Sequence, residues 1–253
     1  MFWSWWKTFS RKRLLKRIKP ENFDANLSDL FFYSGLSEIE KNKLKKITKI
    51  IYYEKNWEGC GGFKVTNRVK ILIAAQAALL ILNVKHDYYS RVLSVLVYPD
   101  KFIVPQIKPS PLGHGAIQKE DVVVLGQAFY RGPVILSWST VLEDISNPFR
   151  GRNVVIHEFA HKLDMLADSV DGTPLLSSKK QYDSWVRIMT DEYRKLVFKY
   201  QSGTSDLIDF YGATNPAEFF SVTTEYYFVV PHLLKMEHPE LFDLIDSYYN
   251  PKT

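Results

Sequence analysis

The sequence predicts an α+β fold, and three observations predict it. Runs rich in Val and Ile, punctuated by Pro and Gly, fill residues 91–138, where strands are expected. After Pro148 the apolar residues recur at helical spacing. Two helices are signalled ahead of the strands, one by a capping box and one by a long uncharged run. Strands followed by a block of helices, rather than alternating with them, fit the α+β class.

The elements follow in order. Ser37 with Glu40 three residues on forms the capping box of a helix running to about Tyr53, with Ile39, Leu44, Ile47, Ile50 and Ile51 spaced for one buried face. A second helix is expected over residues 67–83. Its run at 71–82 holds 12 residues with no charge, interrupted by Gln76, which is short of the roughly 20 that a membrane span needs; a buried helix is expected. Strands are predicted at 91–98, 102–107, 121–125 and 133–138. Helices are predicted at 154–166, at 181–200, and from Asn215-Pro216 to just before Pro231. Asn suits the cap of that last helix and Pro its first turn.

Composition narrows the function. A chain of 253 residues with 46% apolar or aromatic side chains can bury a sizeable core. A single cysteine, Cys60, excludes a disulfide framework and fits a reducing cytoplasm. The net charge of +5 is a property of one end. Residues 1–19 carry seven of the 33 Lys and Arg side chains and no acidic one, which leaves 26 basic against 28 acidic side chains elsewhere. Direct nucleic-acid binding by the folded body is therefore not expected. Residues 1–20 are read as a basic aromatic N-terminal segment and 21–253 as a single domain. The tail order, Phe2, Trp3, Trp5, Trp6 and Phe9 ahead of the basic run, is the reverse of a secretory signal. Packing of these aromatics on the domain is favoured over contact of residues 1–19 with a membrane surface.

The chemistry concentrates in His157-Glu158-Phe159-Ala160-His161. Residues four apart on a helix point the same way, so two imidazoles can bind one Zn²⁺ at about 2.0–2.1 Å. Glu158, about 100° round the helix from His157, can reach a water on the metal without ligating it and act as general base. The alternative is a pair of ordinary histidines. It is disfavoured because Val154, Val155, Ile156, Phe159 and Leu163 mark a largely buried helix, where unpaired His and Glu are costly. A catalytic zinc takes three protein ligands. Position 167 is Ala, so no third histidine follows at the nearby spacing. The helix after Asn215 offers Glu218 and Glu225, two turns apart on one face. Spacing leaves the ligand open between them, slightly favouring Glu218, although Glu218 also stands where a capping glutamate would. Asp164 shares the face of the two histidines and suits either a partner for a ligand imidazole or one for a nearby basic side chain. Glu225 suits the imidazole role too. Residues 133–138 suit either a core strand or an edge strand that a peptide could extend. His86, His114, His232 and His238 have no ligand spacing.

These motifs resemble the Mlc titration factor A family of bacterial zinc peptidases. The likeness lies in His157-Glu158-Phe159-Ala160-His161-Lys162-Leu163-Asp164, Asn215-Pro216-Ala217-Glu218-Phe219-Phe220 and Glu225-Tyr226. Gly126-Gln127-Ala128-Phe129, Gly132-Pro133-Val134-Ile135-Leu136-Ser137-Trp138 and the N-terminal tryptophans add to it. The resemblance implies a gluzincin site related to the catalytic domain of anthrax lethal factor. It further implies a zincin-like core, in which a small mixed sheet carries the HExxH helix and a glutamate-ligand helix, with an N-terminal helical part. It implies one Zn²⁺ held by His157, His161 and Glu218, and a Tyr211 hydroxyl that stabilises the oxyanion. It implies a cytoplasmic enzyme acting on short peptides with aminopeptidase-like preference. A transcriptional repressor of sugar-transport genes, Mlc-like, is an implied partner. The alternative function is a regulatory protein that sequesters such a repressor and keeps zinc mainly for structure.

Overall fold

Ser37 opens the first long helix as the sequence predicts, with both halves of its capping box formed. The Ser37 N–H donates to Glu40 Oε2 at 2.9 Å, and the Glu40 N–H donates to Ser37 Oγ at 3.3 Å. The computed structural model describes residues 11, 15, 22–109, 117–124, 126–128, 132–167 and 170–251. The aromatic N-terminal residues, Leu125 and His114 lie outside them. Of the basic tail, Arg11 donates to both carboxylate oxygens of Glu54, at 2.6 and 2.7 Å.

A short helix, Phe23–Ser28 (α1), precedes the capped helix Glu38–Glu54 (α2). Leu44, Ile47, Ile50 and Ile51 are buried as expected. Ile39 is not. It lies in the first turn, about 140° round from Leu44 by helical geometry, and is 82% exposed. The uncharged run forms Asn67–Leu80 (α3), capped by Thr66 and buried on every side from Ile71 onward. Among the described residues no helix is long and apolar enough to cross a membrane.

The strands are Asn56–Gly59 (β1), Ser94–Tyr98 (β2), Phe102–Pro109 (β3), Ile117–Val124 (β4), Gly126–Ala128 (β5) and Val134–Ser137 (β6). One sheet has the order β1-β2-β6-β5. β1, β2 and β6 are parallel, and β5 runs antiparallel to β6. β3 and β4 form a separate antiparallel hairpin in register from Phe102–Val124 to Pro109–Ile117. Of the two readings of 133–138, the core strand holds and the edge strand does not. β6 is flanked on both sides, and among the described residues the edges of the sheet are β1 and β5.

Helices then follow: Trp138–Ser146 (α4), Val154–Asp164 (α5), Lys179–Ser202 (α6), Pro216–Val229 (α7), Pro231–Glu237 (α8) and Pro239–Tyr249 (α9). This is the α+β, zincin-like arrangement expected. α5 is central to it, packed against α3, α4, α7, β5 and β6. Phe159, Ala160 and Leu163 join the core there with Trp185, Phe219 and Phe220.

At the α8–α9 junction, His238 Nδ1 meets Glu192 Oε2 of α6 at 2.8 Å and Nε2 meets Asp206 Oδ1 at 3.1 Å. Burial opposes the charged ring, but the two carboxylates outweigh it and raise the pKa to about 9. A raised imidazole contributes stability that is complete below its ordinary value of 6.5 and is lost as pH climbs through about 9. The melting temperature should therefore fall from pH 6.5 to 9 more steeply in the wild type than in His238→Gln. Parallel slopes in the two proteins would show that His238 is not the group responsible.

Candidate metal centre

The N-terminus of α5 is assembled from three side chains. Asn153 Oδ1 caps it by accepting the Ile156 N–H at 3.0 Å. Asp144 Oδ2 accepts the Val154 N–H at 2.7 Å. Glu225 Oε2 accepts the Asn153 N–H. The helix so fixed is buried along its whole length, and His157 and His161 stand one turn apart on one face. Their Nε2 atoms are 3.2 Å apart.

α7 begins as its sequence suggests, with Pro216 in the first turn and Asn215 Oδ1 accepting the Glu218 N–H at 3.0 Å. The Glu218 carboxylate does not turn back to the cap. Its Oε2 lies 3.0 Å from His157 Nε2 and 3.2 Å from His161 Nε2. Among the described residues, His157, His161 and Glu218 form the one group of His, Cys, Asp and Glu side chains whose ligand atoms all lie within 4.8 Å of one another. Three donors each about 2.0–2.1 Å from a tetrahedral zinc lie about 3.3 Å from one another. The triangle of 3.0, 3.2 and 3.2 Å fits that demand.

Glu225, the other candidate, takes a different place. Its Oε1 accepts from His157 Nδ1 at 2.8 Å, which fixes a proton on Nδ1 and turns Nε2 toward Glu218 and His161, so that Nε2 is the nitrogen a metal would take in place of a proton. Burial alone would lower the His157 pKa, but Glu225 and Glu218 outweigh it and hold it well above the ordinary range. Glu218 shows the reciprocal effect. Burial would raise it, yet its bonds to His157 and His161 bring it far below the usual carboxylate range.

Glu158 is 4% exposed, and its Oε2 has no hydrogen-bond partner. Burial pushes its carboxyl up to about 8, with His157 opposing and Glu218 and Glu225 adding to the rise. A divalent cation beside it would pull that value down again. β5 lies directly against this carboxyl. A Cβ placed on Gly126 would sit 2.6 Å from Glu158 Oε1 and 2.7 Å from Val154 Cγ2, so glycine is what permits the approach.

Tyr211 sits in the 3₁₀ turn Phe210–Ala213, fixed by Asp209 Oδ1 accepting its N–H at 2.8 Å. Its ring centroid is 5.8 Å from that of His157, and the residue is 55% exposed. Burial of its ring, together with Glu218 and Glu158, raises the phenol pKa, so the hydroxyl stays a donor.

Asp164 takes neither of the roles weighed from sequence. Its Oδ2 accepts the Gly172 N–H at 3.0 Å. Gly172 has φ +77°, and a Cβ there would meet the Pro216 carbonyl oxygen at 2.3 Å. Asp164 thus anchors a glycine packed on the start of α7, the helix that carries Glu218. Sequence reasoning missed Asn153, Gly126 and Gln76. An Asn immediately ahead of an apolar helical run is a cap signal that points to Asn153. Neither Gly126 nor Gln76 has such a local signature.

The sequence model of the family described as glucose-regulated metallo-peptidase M90 matches residues 3–250. The uncharacterized protein slr2042 of Synechocystis sp. is 38% identical over 246 residues, covering 96% of this chain and 89% of that protein. Mlc titration factor A of Cronobacter sakazakii is 30% identical over 239 residues, covering 92% and 86% respectively. The protein of the same name from Klebsiella pneumoniae is 31% identical over 221 residues, covering 85% and 80%.

Proposed function

Because the chain belongs to the glucose-regulated metallo-peptidase M90 family, we propose that it is a zinc peptidase with aminopeptidase-like action on short peptides in the cytoplasm. His157, His161 and Glu218 would hold one Zn²⁺, Glu158 would be the general base, and Tyr211 would stabilise the oxyanion. The observation that carries this reading is the triangle of His157 Nε2, His161 Nε2 and Glu218 Oε2 at 3.0–3.2 Å beside a buried, unpartnered Glu158 oxygen. The preference for amino ends follows the family resemblance, and the cytoplasm follows the single cysteine.

A bound zinc would supply a Lewis acid for the scissile carbonyl and a water of lowered pKa. The side chains do the rest. Glu158 takes a proton from the attacking water and later delivers it to the departing amine. Tyr211 directs its O–H at the carbonyl oxygen as negative charge grows there. Glu225 keeps His157 in one tautomer and one orientation. A peptide would lie along β5, which among the described residues is an edge of the sheet beside Glu158, and pair with it through main-chain hydrogen bonds.

The test is cleavage of a peptide library by protein of measured zinc content, with and without a chelator. Cleavage is expected with zinc and lost without it. Tyr211→Phe should lower kcat by about 10²–10³-fold, the usual cost of one oxyanion donor, with KM little changed. A zinc-loaded protein that cleaves no peptide would end the enzyme reading. The second reading is sequestration of a transcriptional repressor with zinc kept for structure. It is favoured by the relatives named Mlc titration factor A.

A further inference from the structure

Within the apolar run of α3 one side chain is polar. Gln76 is 1% exposed, and an amide in such a place needs partners. Its partners also have a direction. Gln76 Nε2 donates to the Leu72 carbonyl at 3.0 Å. A carbonyl only accepts, so the amide cannot be turned round, and Oε1 is left as an acceptor. That oxygen accepts from Asn153 Nδ2 at 2.6 Å. The Asn153 amide is thereby fixed as well, with Oδ1 toward the Ile156 N–H that it caps. The Asn153 backbone N–H donates to Glu225 Oε2, and Glu225 Oε1 accepts from His157 Nδ1. Every link has an assigned donor and acceptor, from the Leu72 carbonyl to the imidazole. The chain joins α3, α5 and α7 wholly inside the protein.

We propose that Gln76 is a positioning residue for the metal centre, orienting His157 through Asn153 and Glu225. The proposal rests on the peptidase reading above. Its physical basis is the amide of Asn153. Without the Gln76 oxygen, Nδ2 has no acceptor in an apolar setting, and the side chain is free to turn over. A turned amide presents its NH₂ to the Ile156 N–H and uncaps α5 in the turn that bears His157. The Asn153 N–H that holds Glu225 moves with it. Ligand geometry is then held less firmly, although no ligand has changed.

The test uses the full-length protein and two variants, with zinc itself as the probe. Gln76→Met keeps the length of the side chain and removes its polar atoms. Asn153→Ser keeps a capping hydroxyl and withdraws the Nδ2 donor. Zinc dissociation constants come from competition with a chelator, and thermal melts without metal check the fold. Both variants should weaken zinc binding about three- to tenfold, less than the 10–100-fold typical of a ligand's own hydrogen-bond partner. In a Glu225→Gln background, Gln76→Met should add less than about twofold, because the link through which it acts is already altered. Folded Gln76→Met with the wild-type constant overturns the proposal, as does an equal effect in both backgrounds. If Gln76→Met does not fold, an unchanged constant in Asn153→Ser overturns it. A wild-type protein that binds no zinc overturns the peptidase reading and this inference together. A wild-type protein that binds zinc and cleaves peptides, matched by both variants, overturns this inference alone.

Discussion

Glu158→Gln is expected to reduce peptide hydrolysis by about a thousandfold or more while zinc remains bound. The carboxyl is buried, one of its oxygens has no partner, and it makes no hydrogen bond to His157, His161 or Glu218. The three contacts of the ligand triangle do not include it, and its charge reaches His157 and Glu218 only through space. Glutamine has the same shape and fits against Gly126 as the acid does. It cannot take up a proton, and positioned proton transfer typically contributes about 10²–10⁴-fold. Removing a buried carboxyl that sits near 8 without a cation also lifts a desolvation penalty, so the variant should melt no lower than the wild type. The assay is single-turnover cleavage of a library-derived peptide, with zinc content measured on the same sample. Near wild-type cleavage would remove Glu158 from the mechanism. The variant also separates the two functional readings. Repressor capture by Glu158→Gln at wild-type strength, alongside lost hydrolysis, makes the functions coexist and separable. Capture by a wild-type protein that never cleaves leaves only the binding reading.

The parts of this site legible in the sequence were those with local periodicity. Two histidines at i and i+4 need only one helix, and the capping signals at Ser37 and Asn215 need only four residues each. The choice between Glu218 and Glu225 was not legible in that way. Both glutamates face the histidines, and each is used, Glu218 at the Nε2 atoms and Glu225 at the far side of one ring. Spacing along one helix cannot say which of two equivalent turns meets a partner on another helix. The strands β1 and β5 were invisible for another reason. Asn56-Trp57-Glu58-Gly59 is mostly exposed and lacks apolar alternation, and Gly126-Gln127-Ala128 is too short to show a period. Trp138 was read into the preceding strand because Ser137 both ends β6 and caps α4, leaving no loop between them. Gln76 stood out only as an interruption. Its meaning lies in a partner 77 positions away.

Glu218→Ala tests the premise beneath all of this, and its expected effect is on binding rather than on rate alone. Glu218 supplies the one negative charge in the triangle, and both imidazoles orient toward it. Loss of a ligand should cost more than loss of an outer partner, so the zinc dissociation constant should rise by at least about 100-fold. Linkage turns that into a stability measurement. Zinc at 100 times the wild-type dissociation constant stabilises the folded protein by about 2.7 kcal/mol, and after a hundredfold weakening by only about 0.4 kcal/mol. For a chain of this size the difference corresponds to roughly 5–9 °C of zinc-induced melting shift. Each variant is compared with itself, with and without zinc, so any cost of the substitution to the metal-free fold cancels. Activity should vanish at the same zinc concentration and return in part when zinc is raised. If Glu218→Ala keeps the full zinc-induced shift, the carboxylate near the two Nε2 atoms is their hydrogen-bond partner only, and the third ligand must come from elsewhere.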